Sequence, residues 1–315
     1  MSIRPLALLD LPYIYRFRDE AIGLDTTRTL TRGNPLGAAR LLAYMNPARH
    51  VYSAIANGEQ DSVLGGVIHL PDETFAKLLY LAPSSQLNHP DLPELIEDLS
   101  AHAGTWGAFH VLAEVDETSD AFVPLRKSGF SVYAWQRMWK VLDDTEENLN
   151  SRAERRTKPE AEAWMRVKSI HLPAVQSLYY QIVPPLLHPV EPQPSNKVGW
   201  MCNEGARCYV SMTQGVYGIV LTPLIHPEAT DVSSKLAALI GNLPDHRNRP
   251  VYVCVRSYQA WLEPVLADLG AKAAARQAVM VKHLARLVKE TPTVPAVSSR
   301  VTVQPSQVSR VEGKK

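Results

Sequence analysis

Short apolar runs alternate with polar punctuation along the chain, and the order of those runs occurs twice. In the first half residues 3–8 read as a strand, Asp10-Leu11-Pro12 opens a helix with an acidic N-cap and an early proline, and Asn34-Pro35 caps a second helix through Met45. Strands are predicted at 50–57, 63–70 and 75–82. Asn57-Gly58 and Pro71-Asp72 punctuate them, so the connections are short and the strands antiparallel. Helix 92–102, strand 108–114, helix 119–128 and strand 130–141 follow. The second half opens at Met165-Arg166-Val167 and predicts a meander of 198–203, 206–213 and 216–223, turned by Glu204-Gly205 and Gln214-Gly215. Helix 231–242, strand 250–255, helix 258–269 and a last strand through Leu284 complete it.

The repetition extends to individual residues. Met138-Trp139-Lys140 returns as Met280-Val281-Lys282, and Leu11-Pro12 with Tyr13, Tyr15 and Phe17 returns as Leu172-Pro173 with Tyr179-Tyr180. Val111, Leu112, Val253 and Val255 stand in runs without alternation, so their strands must bury both faces. The pattern divides the chain into a domain at 1–142, a polar linker at 143–160, a second domain at 161–289 and a Pro-, Ser- and Thr-rich disordered tail at 290–315.

A net charge of +1 and a pI near 7.8 give no basic field of the kind that tracks nucleic acid. No apolar run approaches the roughly 20 residues of a membrane span, and the N-terminal residues lack a signal-peptide core, so a cytoplasmic protein with neither a nucleic-acid nor a membrane partner is expected. Cys202, Cys208 and Cys254 are too few and too irregular for a disulfide framework or a zinc site and read as reduced core residues.

The order strand, one or two helices, three-strand meander, helix, strand, helix, strand resembles the GNAT N-acetyltransferase fold. The stretch from Val111 through Leu125-Arg126-Lys127-Ser128-Gly129-Phe130 is similar to that family's closing segment, in which a helix ends in Gly-Phe before the final strand; the second half has Gly270-Ala271 there. The resemblance spans 1–141 and 162–284. It implies an α/β fold with mixed sheets, duplicated in tandem as two separate GNAT-like sheets, each with central parallel strands that splay at a cleft. It also implies acetyl-CoA or another acyl-CoA as cofactor, no metal, and N-acyl transfer to a small-molecule or peptide amine.

In such a fold the fourth strand and third helix form the acyl-CoA site, with the pyrophosphate on N–H groups at the helix start. Where the family carries a Gln/Arg-x-x-Gly-x-Gly/Ala loop, the first half has Ser84-Ser85-Gln86-Leu87-Asn88-His89-Pro90, with Gln86 and no glycine. Ser84, Ser85, Gln86, Leu87 and Asn88 are the cofactor-binding candidates. The second half has Leu224-Ile225-His226-Pro227-Glu228-Ala229-Thr230, where Glu228 and Asp231 oppose a phosphate, so any CoA is expected in the first half. The base position offers Lys77 and Tyr80, or Tyr217. Leu125 and Leu266 replace the tyrosine that protonates the leaving thiolate, and Tyr258 is the nearest hydroxyl and the catalytic candidate. Tyr179 and Tyr180, beside Pro184-Pro185, make either an acceptor pocket or a lid over the core. Arg256 and Trp261 extend the pocket, unless Trp261 packs between the halves. The His-Pro pairs at 89, 188 and 226 read as loop caps, and Arg28, Arg32 and Arg40 as a solvated helix face. With so much of the family's chemistry replaced, a catalytically silent tandem module that binds a metabolite or a protein is the alternative to an acyltransferase.

Overall fold

The strands of both halves hydrogen bond into one continuous mixed sheet in the computed structural model, which describes residues 2–37, 50–57, 62–70, 73–141, 164–194, 199–202, 206–243 and 249–284. The first half supplies β1 (Ser2–Pro5), β2 (Ile22–Gly23), β3 (Val51–Asn57), β4 (Ser62–His69), β5 (Phe75–Ala82), β6 (His110–Asp116) and β7 (Ser131–Val141). The second supplies β8 (Trp164–Arg166), β9 (Gly199–Cys202), β10 (Cys208–Gln214), β11 (Ile219–Ile225), β12 (Val251–Arg256) and β13 (Lys272–His283). The spatial order is β1-β3-β4-β5-β6-β13-β7-β12-β11-β10-β9-β8, with β2 paired to β5.

This order corrects the expectation of two separate sheets. The final strand of each half has crossed into the other: β13 lies antiparallel to β6 from Gln277↔Asp116 to His283↔His110, and β7 lies antiparallel to β12 from Val251↔Val141 to Arg256↔Gln136. The two exchanged strands also pair with each other. The physical reason lies in the strands themselves. A strand buried on both faces needs a partner on each edge, and the apolar run of β13 from Ala278 to Val281 satisfies the β6 edge as well as a strand from the same half would. Pattern alone does not say which copy supplies it.

Helices cover both faces. Leu92, Leu95, Ile96 and Leu99 of α3 (Leu92–Thr105) and Leu125 of α4 (Phe122–Lys127) share a core with Val111, Ala113, Ala278 and Met280. Leu236 and Leu239 of α6 (Val232–Gly241) and Leu262 and Leu266 of α7 (Leu262–Asp268) share one with Val253, Val255 and the exchanged Trp139 and Val141. The opposite face carries α1 (Leu11–Tyr15), α2 (Thr26–Arg32) and α5 (Leu172–Ile182), through Ile14, Leu30 and Leu178 respectively. Val111, Leu112, Val253 and Val255 are all buried, as their unbroken apolar runs require.

The two helix stops read from sequence close in the same way. Gly129 (φ 88°) and Gly270 (φ 80°) take the left-handed conformation, and the N–H groups of Phe130 and Ala271 reach back to the carbonyls of Leu125 and Leu266 at 3.1 and 3.0 Å. Strand β2 and helix α2 are elements that the sequence reading missed. Asp25 caps α2 by accepting the Arg28 N–H at 3.0 Å, and Gly33 ends it at φ 82°. The helix expected after Asn34-Pro35 lies mostly outside the described residues, as do the segments 143–160 and 290–315 and the turn Glu204-Gly205.

Strand exchange makes each half incomplete. Chain fragments 1–141 and 164–284, expressed separately, are expected not to be monomeric, because β6 and β12 would each lose the neighbour that the other half provides. Co-expression is expected to restore a one-to-one complex. Light scattering and urea denaturation check this: a monomeric fragment with one cooperative transition would contradict it.

Candidate functional site

Each half contains one pair of parallel strands that part company. β5 and β6 pair from Phe75↔His110 to Lys77↔Leu112, and β11 and β12 from Ile219↔Val251 to Leu221↔Val253; beyond those points the register ends. A splayed strand edge has unpaired N–H and C=O groups, which need partners. In the first half the chain between α1 and α2 supplies them. β2 pairs Ile22 with Leu81 and Gly23 with Tyr80, the Leu24 N–H donates to the Leu79 carbonyl at 2.9 Å, and the Leu24 carbonyl accepts from the Glu114 N–H at 2.8 Å. The main chain thus bridges both walls of the gap. A glycine at 23 suits the close passage, since a Cβ there would lie 2.6 Å from the Thr29 hydroxyl.

In the second half a side chain does the same work. Gln259, 1% exposed, accepts the Ile225 N–H on Oε1 at 2.9 Å and donates from Nε2 to the Pro223 carbonyl at 2.8 Å. Its amide pairs with the free edge of β11 as a strand would. The 3-10 turn Ser257–Gln259 between β12 and α7 aims it there.

Between the two gaps runs a partly buried polar row on the face that carries α2 and α5. Asp116 of β6 accepts from Gln277 Nε2 of β13 at 2.8 Å, Gln277 Oε1 accepts from Gln136 Nε2 of β7 at 2.9 Å, and Gln136 Oε1 accepts from Arg256 of β12. A pure acceptor at one end and a pure donor at the other fix both amide orientations. Arg256 Nε lies 3.1 Å from the buried Glu191 Oε1. Burial works against the Arg256 charge and Glu191 outweighs it, so the guanidinium is held more firmly protonated than usual; burial also raises the Glu191 carboxyl, against the pull of Arg256.

The first gap has its own charges. Asp25 lies 3.5 Å from Arg28 Nε and 3.6 Å from Lys77 Nζ, which is 3.9 Å from Glu114. Burial alone would raise the Asp25 carboxyl, but Lys77 and Arg28 overcome it and hold it below the ordinary range. Arg28 therefore belongs to this cluster and not to a solvated face, while Arg32 is exposed and Arg40 lies outside the described residues.

The turns expected to receive a pyrophosphate are closed on themselves. In the first half the His89 N–H goes to the Gln86 carbonyl, that of Leu92 to the His89 carbonyl, and that of Asp91 to His89 Nδ1 at 3.2 Å, while Pro90 and Pro93 have none. Ser85 donates to the Glu20 carboxylate at 3.0 Å. In the second half the Glu228 N–H goes to His226 Nδ1, again at 3.2 Å, and that of Ala229 to the His226 carbonyl. His89-Pro90-Asp91 and His226-Pro227-Glu228 are thus the same ring-capped turn. Among the predicted cofactor contacts, Ser84–Gln86 form a 3-10 turn, Leu87 is buried in the core and Asn88 is exposed.

An acyl-CoA would place its amide-bearing arm along a splayed edge and its diphosphate on helix-start N–H groups. The residues present do not fit it: both edges are bonded to the protein's own chain, and both turns present a carboxylate beside the helix start, with the N–H groups of His89, Asp91, Leu92, Glu228 and Ala229 already in use.

The pocket candidates are dispersed. Tyr179 is buried and donates to the Glu191 carbonyl at 3.2 Å, with its ring beside His188; Tyr180 is exposed. Tyr258 packs in the Tyr179 core, and its phenol is raised by burial and then by Glu191. Arg256, Tyr258 and Tyr179 therefore gather around Glu191, whereas Trp261 belongs to the core of α6 and α7, with Trp139 of the exchanged strand. Glu191 and Gln259 are the residues that sequence reasoning missed. The signal for Gln259 was its place in the polar run Arg256–Trp261; Glu191, beside a Pro-rich stretch, gave none. A cleft of about 360 Å³ opens elsewhere, between α5 and the turn after β11, lined by Ala174, Ser177, Leu178, Gln181, Ala206, Arg207, His226 and Glu228.

No family model matches the sequence, and no curated protein does. Among solved structures, a GCN5-related N-acetyltransferase from Sphaerobacter thermophilus is 11% identical with a TM-score of 0.54, over 90% of this chain and 95% of that one. A tandem GNAT protein from the clavulanic acid biosynthesis pathway is 13% identical (TM-score 0.47; 91% and 99% covered), and a GCN5-related N-acetyltransferase from Kribbella flavida 12% (TM-score 0.44; 90% and 72% covered). The chain has the GNAT fold. Among the described residues no helix is long and apolar enough to cross a membrane.

Two substitutions probe the closed gaps. Gln259→Ala leaves a buried N–H and C=O unpaired and is expected to cost about 2 kcal/mol by urea denaturation. Asp25→Asn keeps the helix cap but removes the buried anion between Arg28 and Lys77, for a loss of about 3 kcal/mol at neutral pH. Because the Asp25 carboxyl titrates lower folded than unfolded, its contribution is complete above the ordinary carboxylate value of about 4 and is lost as pH falls through the depressed folded value. The variant is therefore expected to lose less stability than wild type on acidification below about pH 4; parallel denaturation curves for the two at every pH would contradict this.

Proposed function

We propose that this protein is a GNAT-fold binding module that does not transfer acyl groups from CoA. The observation that carries the reading is the closure of both splayed edges by the chain itself: main chain Ile22–Leu24 on β5 in one half, the Gln259 amide on β11 in the other. In a transferase that edge is where the cofactor gains its hydrogen bonds, and a ligand that must first displace buried, satisfied protein bonds loses most of that gain. The ring-capped His-Pro-acid turns support the same reading, since each sets a carboxylate where a diphosphate would need positive potential.

Closure differs in kind between the halves. Releasing Ile22–Leu24 requires moving main chain anchored by Asp25 and Glu114, whereas releasing β11 requires one side chain to change rotamer. If either groove can be opened, it is the second.

Titration calorimetry of the full-length protein with acetyl-CoA and CoA tests the reading. No saturable heat is expected for wild type. Saturable binding that survives Gln86→Glu and is strengthened by Gln259→Ala would place a working cofactor groove in the second half and return the acyl-CoA-dependent N-acyltransferase reading; binding abolished by Gln86→Glu would return it in the first.

A further inference from the structure

We propose that the cleft between α5 and the turn after β11 binds a small zwitterion of the α-amino-acid class. This names a ligand for the binding module proposed above and rests on that reading only in treating the protein as a binder. The cleft lies apart from the splayed edges: none of its lining residues is on β12, and none bonds Gln259.

Its chemistry is of mixed sign at short range. Arg207 Nη1 donates to the main-chain carbonyl of Glu228 at 3.3 Å, so the guanidinium is held against the residue that carries the carboxylate. Among the described residues no carboxylate pairs with Arg207, while Glu228 Oε2 lies 4.0 Å from His226 Nδ1, the atom that accepts the Glu228 N–H, and the Glu228 side chain is 73% exposed. A ligand in the cleft therefore meets a wall that carries both a cation and an anion. A dianion would be opposed by Glu228 and a simple amine by Arg207, whereas a carboxylate and an ammonium on one carbon match both.

The remaining lining suits the rest of such a molecule. Ser177 and Gln181 stand one turn apart on α5 and offer neutral donors and acceptors, and the Gln181 amide already reaches the Ser177 hydroxyl at 3.5 Å. Leu178 (3% exposed), Ala174 and Ala206 give an apolar floor for an aliphatic side chain. The His226 ring is fixed by the Glu228 N–H on Nδ1, which makes the turn that carries Glu228 rigid. About 360 Å³ is room for a metabolite and not for a peptide of any length.

Calorimetry on the full-length protein with L-leucine, and with 4-methylpentanoate and 3-methylbutylamine as single-charge analogues, tests the proposal. L-leucine is expected to saturate and each analogue to bind about tenfold more weakly, the loss of one charge-assisted contact. Arg207→Gln is expected to abolish the preference for L-leucine over the amine, and Glu228→Gln the preference over the carboxylate, with both variants keeping the wild-type circular dichroism and melting temperature. No saturable heat with L-leucine, equal binding of the three compounds, or binding untouched by both variants would overturn it. CoA binding that is abolished by Gln86→Glu, and so lies in the first half, would overturn the reading above and leave this result standing.

Discussion

The antiparallel pairing of β7 with β13 is the contact on which the architecture depends. Each strand closes the half opposite to the one that encodes it, so the two sheets become one and neither half retains a complete set of ladder bonds. Gln136 and Gln277 face each other across this pair, and their amides connect Asp116 on one side to Arg256 on the other. The polar row is therefore a product of the exchange. With separate sheets, Gln277 would have no route to Asp116 and Gln136 none to Arg256.

Charge in the interior follows from that arrangement. The buried acids Asp25, Glu114 and Glu191 stand among Arg28, Lys77 and Arg256, alternating in sign. Desolvation penalises every one of these charges, and mutual attraction offsets the penalty only while all members are present. Such a cluster contributes less to stability than apolar packing would, but it specifies one registry of the exchanged strands, because a shift of a single residue would turn Gln136 and Gln277 to the other face and leave Arg256 and Asp116 unmatched.

The splayed edges express the same requirement for paired backbone groups. Parallel strands that diverge leave donors and acceptors that must be satisfied by solvent, by a ligand or by protein. Here the answer is protein in both places, reached independently, by a two-residue strand in one half and a glutamine amide in the other. The fold is retained because the sheet and its helices bury their apolar faces regardless of what occupies the gap. A scaffold built in this way does not depend for its stability on what fills the gap.

Much of the architecture was legible in the order of residues. Apolar periodicity placed the meanders, the two central strands and the helices that end at Gly129 and Gly270, because those features depend on local geometry and on which faces must be dry. The ring-capped turns at His89 and His226 were recognisable as loop caps for the same local reason. Helix α2 was within reach from Asp25 and Gly33, but its few apolar positions give no periodic stripe. What only tertiary structure decided was partnership. A buried strand carries no label for its neighbour, so the exchange of β7 and β13 is invisible in sequence, and with it the joining of Gln136 to Gln277 and of Glu191 to Arg256. Nor does a glutamine at 259 or a main chain at 22–24 announce that it will fill a gap between strands, since the gap exists only once both walls are built.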